Sequence, residues 1–131
     1  MAGRVVVLDD DKQVVDLILL VLRRDGHQVE GVRTFEGALE ALSRKPADLF
    51  VSDLSMPGIG GIAGIRALSR KGLIRRALVV SGYIDPDSES LIAQMPEVVG
   101  RLEKPFDVNE LARLVRRFVP AGPEKEAAAE G

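Results

Sequence analysis

The stretch Arg4-Val5-Val6-Val7-Leu8-Asp9-Asp10-Asp11 decides the fold, because a short apolar run ends abruptly at three carboxylates. Two later runs end in the same way: residues 49–52 lead into Asp53, and residues 77–80 lead into Ser81. Short, continuous apolar runs rich in β-branched residues predict strands that are buried on both faces of a sheet. If these strands are parallel, their carboxyl ends share one edge of the sheet, so the polar side chains converge there.

Five runs of this kind alternate with five segments of helical periodicity. We predict strands at residues 4–8, 28–32, 49–52, 78–80 and 98–102, and helices at residues 12–25, 35–44, 61–70, 87–95 and 108–119. Asp107, with Glu110 three residues later, predicts a capped start for the last helix. The alternation predicts an α/β fold, a (βα)5 doubly wound five-stranded parallel sheet covered by helices on both faces.

Composition and charge restrict the class of protein. The chain has 131 residues, of which 46% are hydrophobic, and this suits one domain with a full core. The absence of cysteine excludes disulfides and thiolate metal sites, and a formal net charge of -2 gives no electrostatic reason for direct nucleic-acid binding. The longest apolar stretch, residues 14–22, is interrupted by Asp16 and is too short for membrane insertion. We therefore expect a cytoplasmic protein.

The composition shifts at Pro120, where Ala, Gly, Pro and Glu replace the helical periodicity. We predict one domain over residues 1–120 and a disordered tail over residues 121–131. The first residues lack a cationic region followed by a long apolar core, so we predict no secretory signal.

The polar residues at the strand ends have the chemistry of a cation and phosphate site. Asp9, Asp10 and Asp53 repel one another unless a cation compensates, and oxygen ligands favour a hard ion such as Mg²⁺. Ser81 and Lys104 would offer a phosphoryl group a hydrogen-bond donor and a positive charge. Because a carboxylate can attack phosphorus, an aspartate at this edge could form an aspartyl phosphate.

The chain resembles the receiver (CheY-like) domains of bacterial two-component response regulators over residues 4–119. The motifs that carry the resemblance occur in the order typical of that family: Val7-Leu8-Asp9-Asp10-Asp11, Asp53-Leu54-Ser55-Met56-Pro57 with Gly61, Val80-Ser81-Gly82, and Lys104-Pro105-Phe106. The resemblance implies a flavodoxin-like fold and a phosphoacceptor in phosphorelay signal transduction. Such a domain assists its own phosphorylation and dephosphorylation but is not an enzyme.

The resemblance also implies roles for the acidic residues. Asp53 would be the phosphoacceptor. Asp10 and Asp53 would bind Mg²⁺ directly, with the backbone carbonyl of Ser55 as a third protein ligand. Asp9 would act mainly through metal-bound water.

Two further residues would contact the phosphoryl group. Ser81 would donate a hydrogen bond to a phosphoryl oxygen, and Lys104 would pair with its charge. The peptide bond between Lys104 and Pro105 is expected to be cis, as in the family, which would aim the lysine inward. Ser55 and Tyr83 each follow a site residue by two positions. We interpret them either as residues that set the lifetime of the phosphoryl group or as polar loop surface.

The implied donor is a sensor histidine kinase or a histidine phosphotransfer protein. Phosphorylation would change a face built from the fourth helix, the fifth strand and the fifth helix, which would contact a downstream protein or form a self-dimer. Family members commonly carry an aromatic residue three positions before the lysine, where this chain has Arg101. An arginine cannot occupy an apolar slot without a partner for its charge, so this part of the switch departs from the family pattern.

Other features of the chain affect its surface and origin. Pro96 is expected to end the fourth helix early. The first helix carries more apolar residues than one buried stripe can hold, which indicates either a docking surface or extra core burial. The run Ser81-Gly82-Tyr83 and residues 104–118 are similar to receivers attached to hybrid histidine kinases. We interpret the chain as a single-domain regulator or as a receiver from a hybrid kinase or larger regulator.

Two alternatives come from other classes of protein. A haloacid-dehalogenase-like phosphatase would use Asp9 as the nucleophile and Asp11 as the general acid. Against it, Lys12 and Gln13 stand where that family has small and hydroxyl residues, and the block that begins at Asp53 has no role. A pseudo-receiver that only binds proteins is the other alternative.

Overall fold

Five strands alternate with five helices in the computed structural model, which describes residues 3–55 and 61–119. The elements are β1 Arg4–Leu8, α1 Lys12–Arg24, β2 Gln28–Val32, α2 Phe35–Arg44, β3 Ala47–Asp53, α3 Gly61–Arg70, β4 Ile74–Ser81, α4 Pro86–Ala93, β5 Val98–Glu103 and α5 Val108–Phe118. Met56 and Pro57 of the Asp53 motif and the predicted tail lie outside the described residues. None of the described helices is both long enough and apolar enough to cross a membrane.

All the strand pairs are parallel, and the strand order is β2-β1-β3-β4-β5. The chain moves outward in one direction from β1 to β2 and in the other from β3 to β5, so the order reverses between β1 and β3. In sheets of this type, ligands bind outside the carboxyl ends of the strands at this reversal. The predicted doubly wound (βα)5 fold is confirmed.

Two apolar layers hold the helices against the sheet. On one face, side chains of α2, α3 and α4 pack on the strands around Phe50. On the other face, side chains of α1 and α5 pack around Leu49 and Val51. The three central strands are therefore almost fully buried, whereas β2 and β5 are only half-buried because each forms an edge of the sheet.

The ends of the elements differ from the predictions in a few places. β3 and β4 begin two and four residues earlier than predicted. Their first residues include the polar side chains of Asp48, Arg75 and Arg76, which interrupt the apolar runs used for the prediction. α4 ends at Ala93, two residues before Met95. Met95 precedes Pro96, and the proline ring disfavours a helical conformation there. The predicted cap of α5 is confirmed, since the side chain of Asp107 accepts from the amide of Asn109.

The apolar excess on α1 is partly exposed. Val15, Ile18 and Leu22 face the core, whereas Leu17 and Leu20 are 47% and 51% exposed. Extra core burial therefore does not account for the whole excess. A docking role for this face stays a prediction.

An arginine at the start of β1 joins this strand to β2 and α2, opposite the carboxyl ends of the strands. The guanidinium of Arg4 donates to Glu30 Oε1 in β2 at 3.1 Å and to the carbonyls of Ala41 and Lys45 at the end of α2. Arg44 donates to the other oxygen of Glu30 at 3.1 Å. Burial acts to raise the pKa of Glu30, but the bonds from the two arginines outweigh it and hold the pKa below its usual value.

We predict that Glu30→Gln lowers the free energy of unfolding at pH 7 by about 0.5–1 kcal/mol, because two partly shielded ion pairs are lost. A lowered carboxyl pKa stabilises the fold above the unfolded pKa of about 4.3 and loses this effect as the pH falls through the folded pKa. Urea unfolding at several pH values should therefore show the two proteins converging at low pH.

Asp16→Asn is the matched control, because it removes one carboxylate from an ion pair with Lys12 in which both side chains are more than half exposed. Its effect at neutral pH should be smaller than that of Glu30→Gln. A difference between wild type and Glu30→Gln that stays constant from neutral to acidic pH would show that packing, not charge, explains the loss.

Candidate functional site

A lysine bridges two buried carboxylates at the carboxyl ends of the strands. Lys104 Nζ donates to Asp9 Oδ2 at 2.6 Å and to Asp53 Oδ2 at 3.2 Å. Both carboxylate side chains are only 3% exposed. The lysine follows β5, where its amide donates to the carbonyl of Ser81 at 2.8 Å and its peptide bond to Pro105 is cis, as expected. The end of the neighbouring strand β4 thus fixes the backbone of Lys104.

The pKa values of Asp9 and Lys104 are both raised, through different balances of burial and neighbouring charges. Burial raises the pKa of Asp9 above its usual value, and hydrogen bonds from Lys104 and the amide of Asp11 offset only part of this effect. Burial acts to lower the pKa of Lys104, but its bond to Asp9 and the charge of Asp53 outweigh that effect and raise the pKa. Lys104 is therefore a firmly charged ammonium between the two carboxylates.

The acidic residues of the strand ends converge, as the sequence predicts. One carboxylate oxygen each from Asp9, Asp10 and Asp53 lies within 4.8 Å of the others, with Asp10 exposed and the other two buried. Three carboxylates this close repel one another, and a single ammonium compensates only part of their charge. Oxygen ligands on a compact site suit a hard divalent cation such as Mg²⁺.

Two serines surround the other side of Asp53. The amide and hydroxyl of Ser55 donate to Asp53 Oδ1 at 2.9 and 2.6 Å. Ser81 is fully buried at the end of β4, and its hydroxyl lies 3.5 Å from that of Ser55 and donates to the carbonyl of Tyr83 at 3.1 Å. Tyr83 is 73% exposed, and the group that accepts from Ser81 is its backbone carbonyl.

The loop between β1 and α1 is held by contacts that we did not predict. The amide of Asp11 donates to Asp9 Oδ1 at 2.9 Å, and the side chain of Asp11 caps α1 by accepting from the amide of Gln13. From the end of β2, the guanidinium of Arg33 approaches the carbonyl oxygen of Asp10. The rule that parallel strands end at one edge also applies to β2, and this signal could have identified Arg33.

Arg101 lies outside this cluster. It is exposed on β5, and its guanidinium forms an ion pair with Glu89 of α4. The partner, Glu89, is a residue that sequence reasoning missed. Arg101 therefore connects β5 to α4 across the surface instead of filling an apolar slot.

Solved structures with the same architecture support the fold. Chemotaxis protein CheY4 of Vibrio cholerae superimposes with a TM-score of 0.81 at 21% identity, and the match covers 90% of this chain and 99% of that protein. The signal receiver domain of an HD domain-containing protein from Pseudomonas fluorescens Pf-5 gives a TM-score of 0.82 at 18% identity, covering 90% and 94%. Both are similar in fold to this chain.

Curated relatives match nearly the whole chain. DNA-binding transcriptional regulator NtrC of Escherichia coli (strain K12) is 28% identical over 117 residues, covering 89% of this chain and 25% of NtrC. Phosphate regulon transcriptional regulatory protein PhoB of the same strain is 27% identical over 136 residues, covering 100% of this chain and 59% of PhoB. The chain thus spans about a quarter of NtrC and less than two thirds of PhoB.

The family match covers almost the whole sheet and every residue of the acidic site. The family model for the response regulator receiver domain matches residues 5–116. This range includes Asp9, Asp53, Ser81 and Lys104, which the fold brings together at the strand ends. The chain belongs to the response regulator receiver domain family.

Proposed function

We propose that Asp53 accepts a phosphoryl group from a phosphohistidine of a sensor histidine kinase or a histidine phosphotransfer protein. The observation that carries the proposal is the contact of Lys104 Nζ with Asp53 Oδ2 at 3.2 Å. It places a positive charge beside a buried carboxylate at the carboxyl ends of the strands, where the oxygens of a phosphoryl group would lie. Membership of the receiver family supports the same role.

The chemistry is a transfer between two nucleophiles. An oxygen of Asp53 forms a bond to phosphorus while the bond from phosphorus to the donor imidazole nitrogen breaks, and the electron pair of that bond stays on the nitrogen. Lys104 would pair with the charge on the transferred group, and the hydroxyl of Ser81 would turn from the carbonyl of Tyr83 to a phosphoryl oxygen. Attack of water on phosphorus later breaks the bond between phosphorus and the Asp53 oxygen, which releases inorganic phosphate and restores the carboxylate. These residues mainly position and neutralise charge.

Asp9, Asp10 and Asp53 would hold Mg²⁺, with the backbone carbonyl of Ser55 as a further ligand. When bound, the ion supplies positive charge that compensates the carboxylates and the phosphoryl oxygens. Asp9 already accepts hydrogen bonds from Lys104 and from the amide of Asp11. Following the pattern of the receiver family, direct binding falls to Asp10 and Asp53 and a contact through water to Asp9.

The output is proposed to be a change in a protein–protein interaction surface on α4, β5 and α5, read by a downstream protein or a second copy of the chain. The segment from Ser81 to the start of α4 is only five residues long, so a movement of Ser81 reaches that helix directly. NtrC and PhoB are named as transcriptional regulators, and the chain matches only a part of each. A signalling phosphoacceptor that controls another part of a regulator is consistent with this.

The phosphatase alternative is disfavoured by one contact. That alternative requires Asp11 as a general acid, but the side chain of Asp11 caps α1 instead. The labelling experiment below distinguishes the two functions.

We predict that acetyl phosphate with Mg²⁺ labels the wild-type chain, and that Asp53→Asn abolishes the label because the acceptor oxygen is lost. Asp9→Asn should lower the labelling rate but leave a measurable label, and Asp16→Asn on the exposed face of α1 should behave as wild type. Intact-protein mass spectrometry measures the label. Loss of label in Asp9→Asn with full label in Asp53→Asn would support the phosphatase instead, and an unlabelled wild type would support the pseudo-receiver.

Ser55 provides a second prediction, on the lifetime of the label. Its hydroxyl lies 2.6 Å from Asp53 Oδ1, where it can orient an approaching water. We predict that Ser55→Ala prolongs the lifetime of the phosphorylated form by about threefold, the effect of one lost neutral hydrogen bond. Ser43→Ala on the exposed surface of α2 is the control. An unchanged or shorter lifetime in Ser55→Ala contradicts this role for the hydroxyl.

A further inference from the structure

Arg33 occupies a backbone position that is fixed on both sides. The carbonyl of the preceding residue, Val32, accepts a hydrogen bond from the amide of Asp9 at 3.2 Å, which connects the end of β2 to the acidic loop. The residue after it, Thr34, caps α2 by accepting from the amide of Gly37 at 3.0 Å. The origin of the Arg33 side chain is therefore set by a strand end and a helix start.

The guanidinium of Arg33 spans from this position to the acidic loop. Its Nε and one terminal nitrogen both point to the carbonyl oxygen of Asp10, at 3.4 and 3.3 Å. Two donors of a planar fork on one acceptor restrict that peptide unit more than a single flexible donor does. The contact is long and exposed, so its effect is that of a modest hydrogen bond.

The other two acidic residues of the loop have separate anchors. Asp9 is buried and bonded to Lys104, and Asp11 caps α1. Asp10 lies between them with an exposed side chain, and it is a member of the carboxylate cluster. The peptide unit between Asp10 and Asp11 is held at both ends: its N–H donates to Asp9 Oδ1 at 2.9 Å, and its carbonyl oxygen accepts from Arg33.

We propose that Arg33 is a positioning residue for the divalent cation site: it holds the peptide unit of Asp10 so that the Asp10 carboxylate meets those of Asp9 and Asp53. This inference rests on the proposed Mg²⁺ site. It makes a prediction opposite to that of simple electrostatics. A positive charge beside a cation site disfavours cation binding, so an arginine that acted by charge alone would weaken Mg²⁺ affinity.

The test is Mg²⁺ titration by calorimetry on the full chain, without any phosphodonor. We expect Arg33→Gln to weaken Mg²⁺ binding by about threefold to tenfold, because the Asp10 carboxylate loses its position. Arg33→Lys keeps the charge that disfavours the cation but loses the planar fork, so it should bind Mg²⁺ no more tightly than Arg33→Gln. Thermal unfolding of each variant checks that the fold is intact.

Lys12→Gln is the matched charge control. Lys12 is an exposed cation at the start of α1, bonded to Asp16 at 2.7 Å, and its removal leaves the contact to Asp10 intact. This variant should bind Mg²⁺ as tightly as wild type or more tightly. Hydrogen exchange supplies a readout that needs no metal, since the amides of Asp10 and Asp11 should exchange faster in Arg33→Gln and at the wild-type rate in Lys12→Gln.

Arg33→Gln that binds Mg²⁺ as wild type does, or more tightly, overturns the positioning role. If wild type itself binds no Mg²⁺, the proposed cation site fails and this inference fails with it. Binding by wild type with no effect of Arg33→Gln refutes the inference alone.

Discussion

Two carboxylates buried side by side are the constraint on which this structure depends. Asp9 follows β1, and Asp53 ends the adjacent strand β3. Each is almost fully buried. Buried charges persist only when fixed partners satisfy them. The fold supplies those partners from several elements: the amide of Asp11 from the start of α1, both donors of Ser55, and the ammonium of Lys104 from beyond β5. The strand order that reverses at β1 and β3 makes these donors converge.

The fold was largely predictable, because strands buried on both faces leave continuous apolar runs in the sequence. What the sequence hid was the first part of β3 and β4, where polar residues such as Asp48 and Arg76 belong to the strands. Arg76 is an example, since its guanidinium lies 5.5 Å from the centre of the Phe118 ring. A long polar side chain can extend away from the core while its backbone pairs within the sheet. Hydropathy alone therefore underestimates the length of such a strand.

The site was predictable in its residues but not in its connections. The edge rule alone brings Asp9, Asp10 and Asp53 together, since it depends on topology. The contacts of Arg33 and the pairing of Arg101 with Glu89 depend on where long side chains extend in space, and no periodicity encodes that. The pairing of Arg101 also locates the connection from β5 to α4 at an exposed ion pair, which dissolved salt would weaken.

The raised pKa of Asp9 affects which substitutions stabilise the fold. A buried acid with a raised pKa is charged at neutral pH at a cost to the folded state, so replacing it with a neutral residue relieves that cost. At Asp9, thermal stability and the proposed Mg²⁺ site therefore make opposite demands. Laboratory selection for thermal stability alone should therefore favour a neutral residue at this position, at the expense of the proposed cation binding.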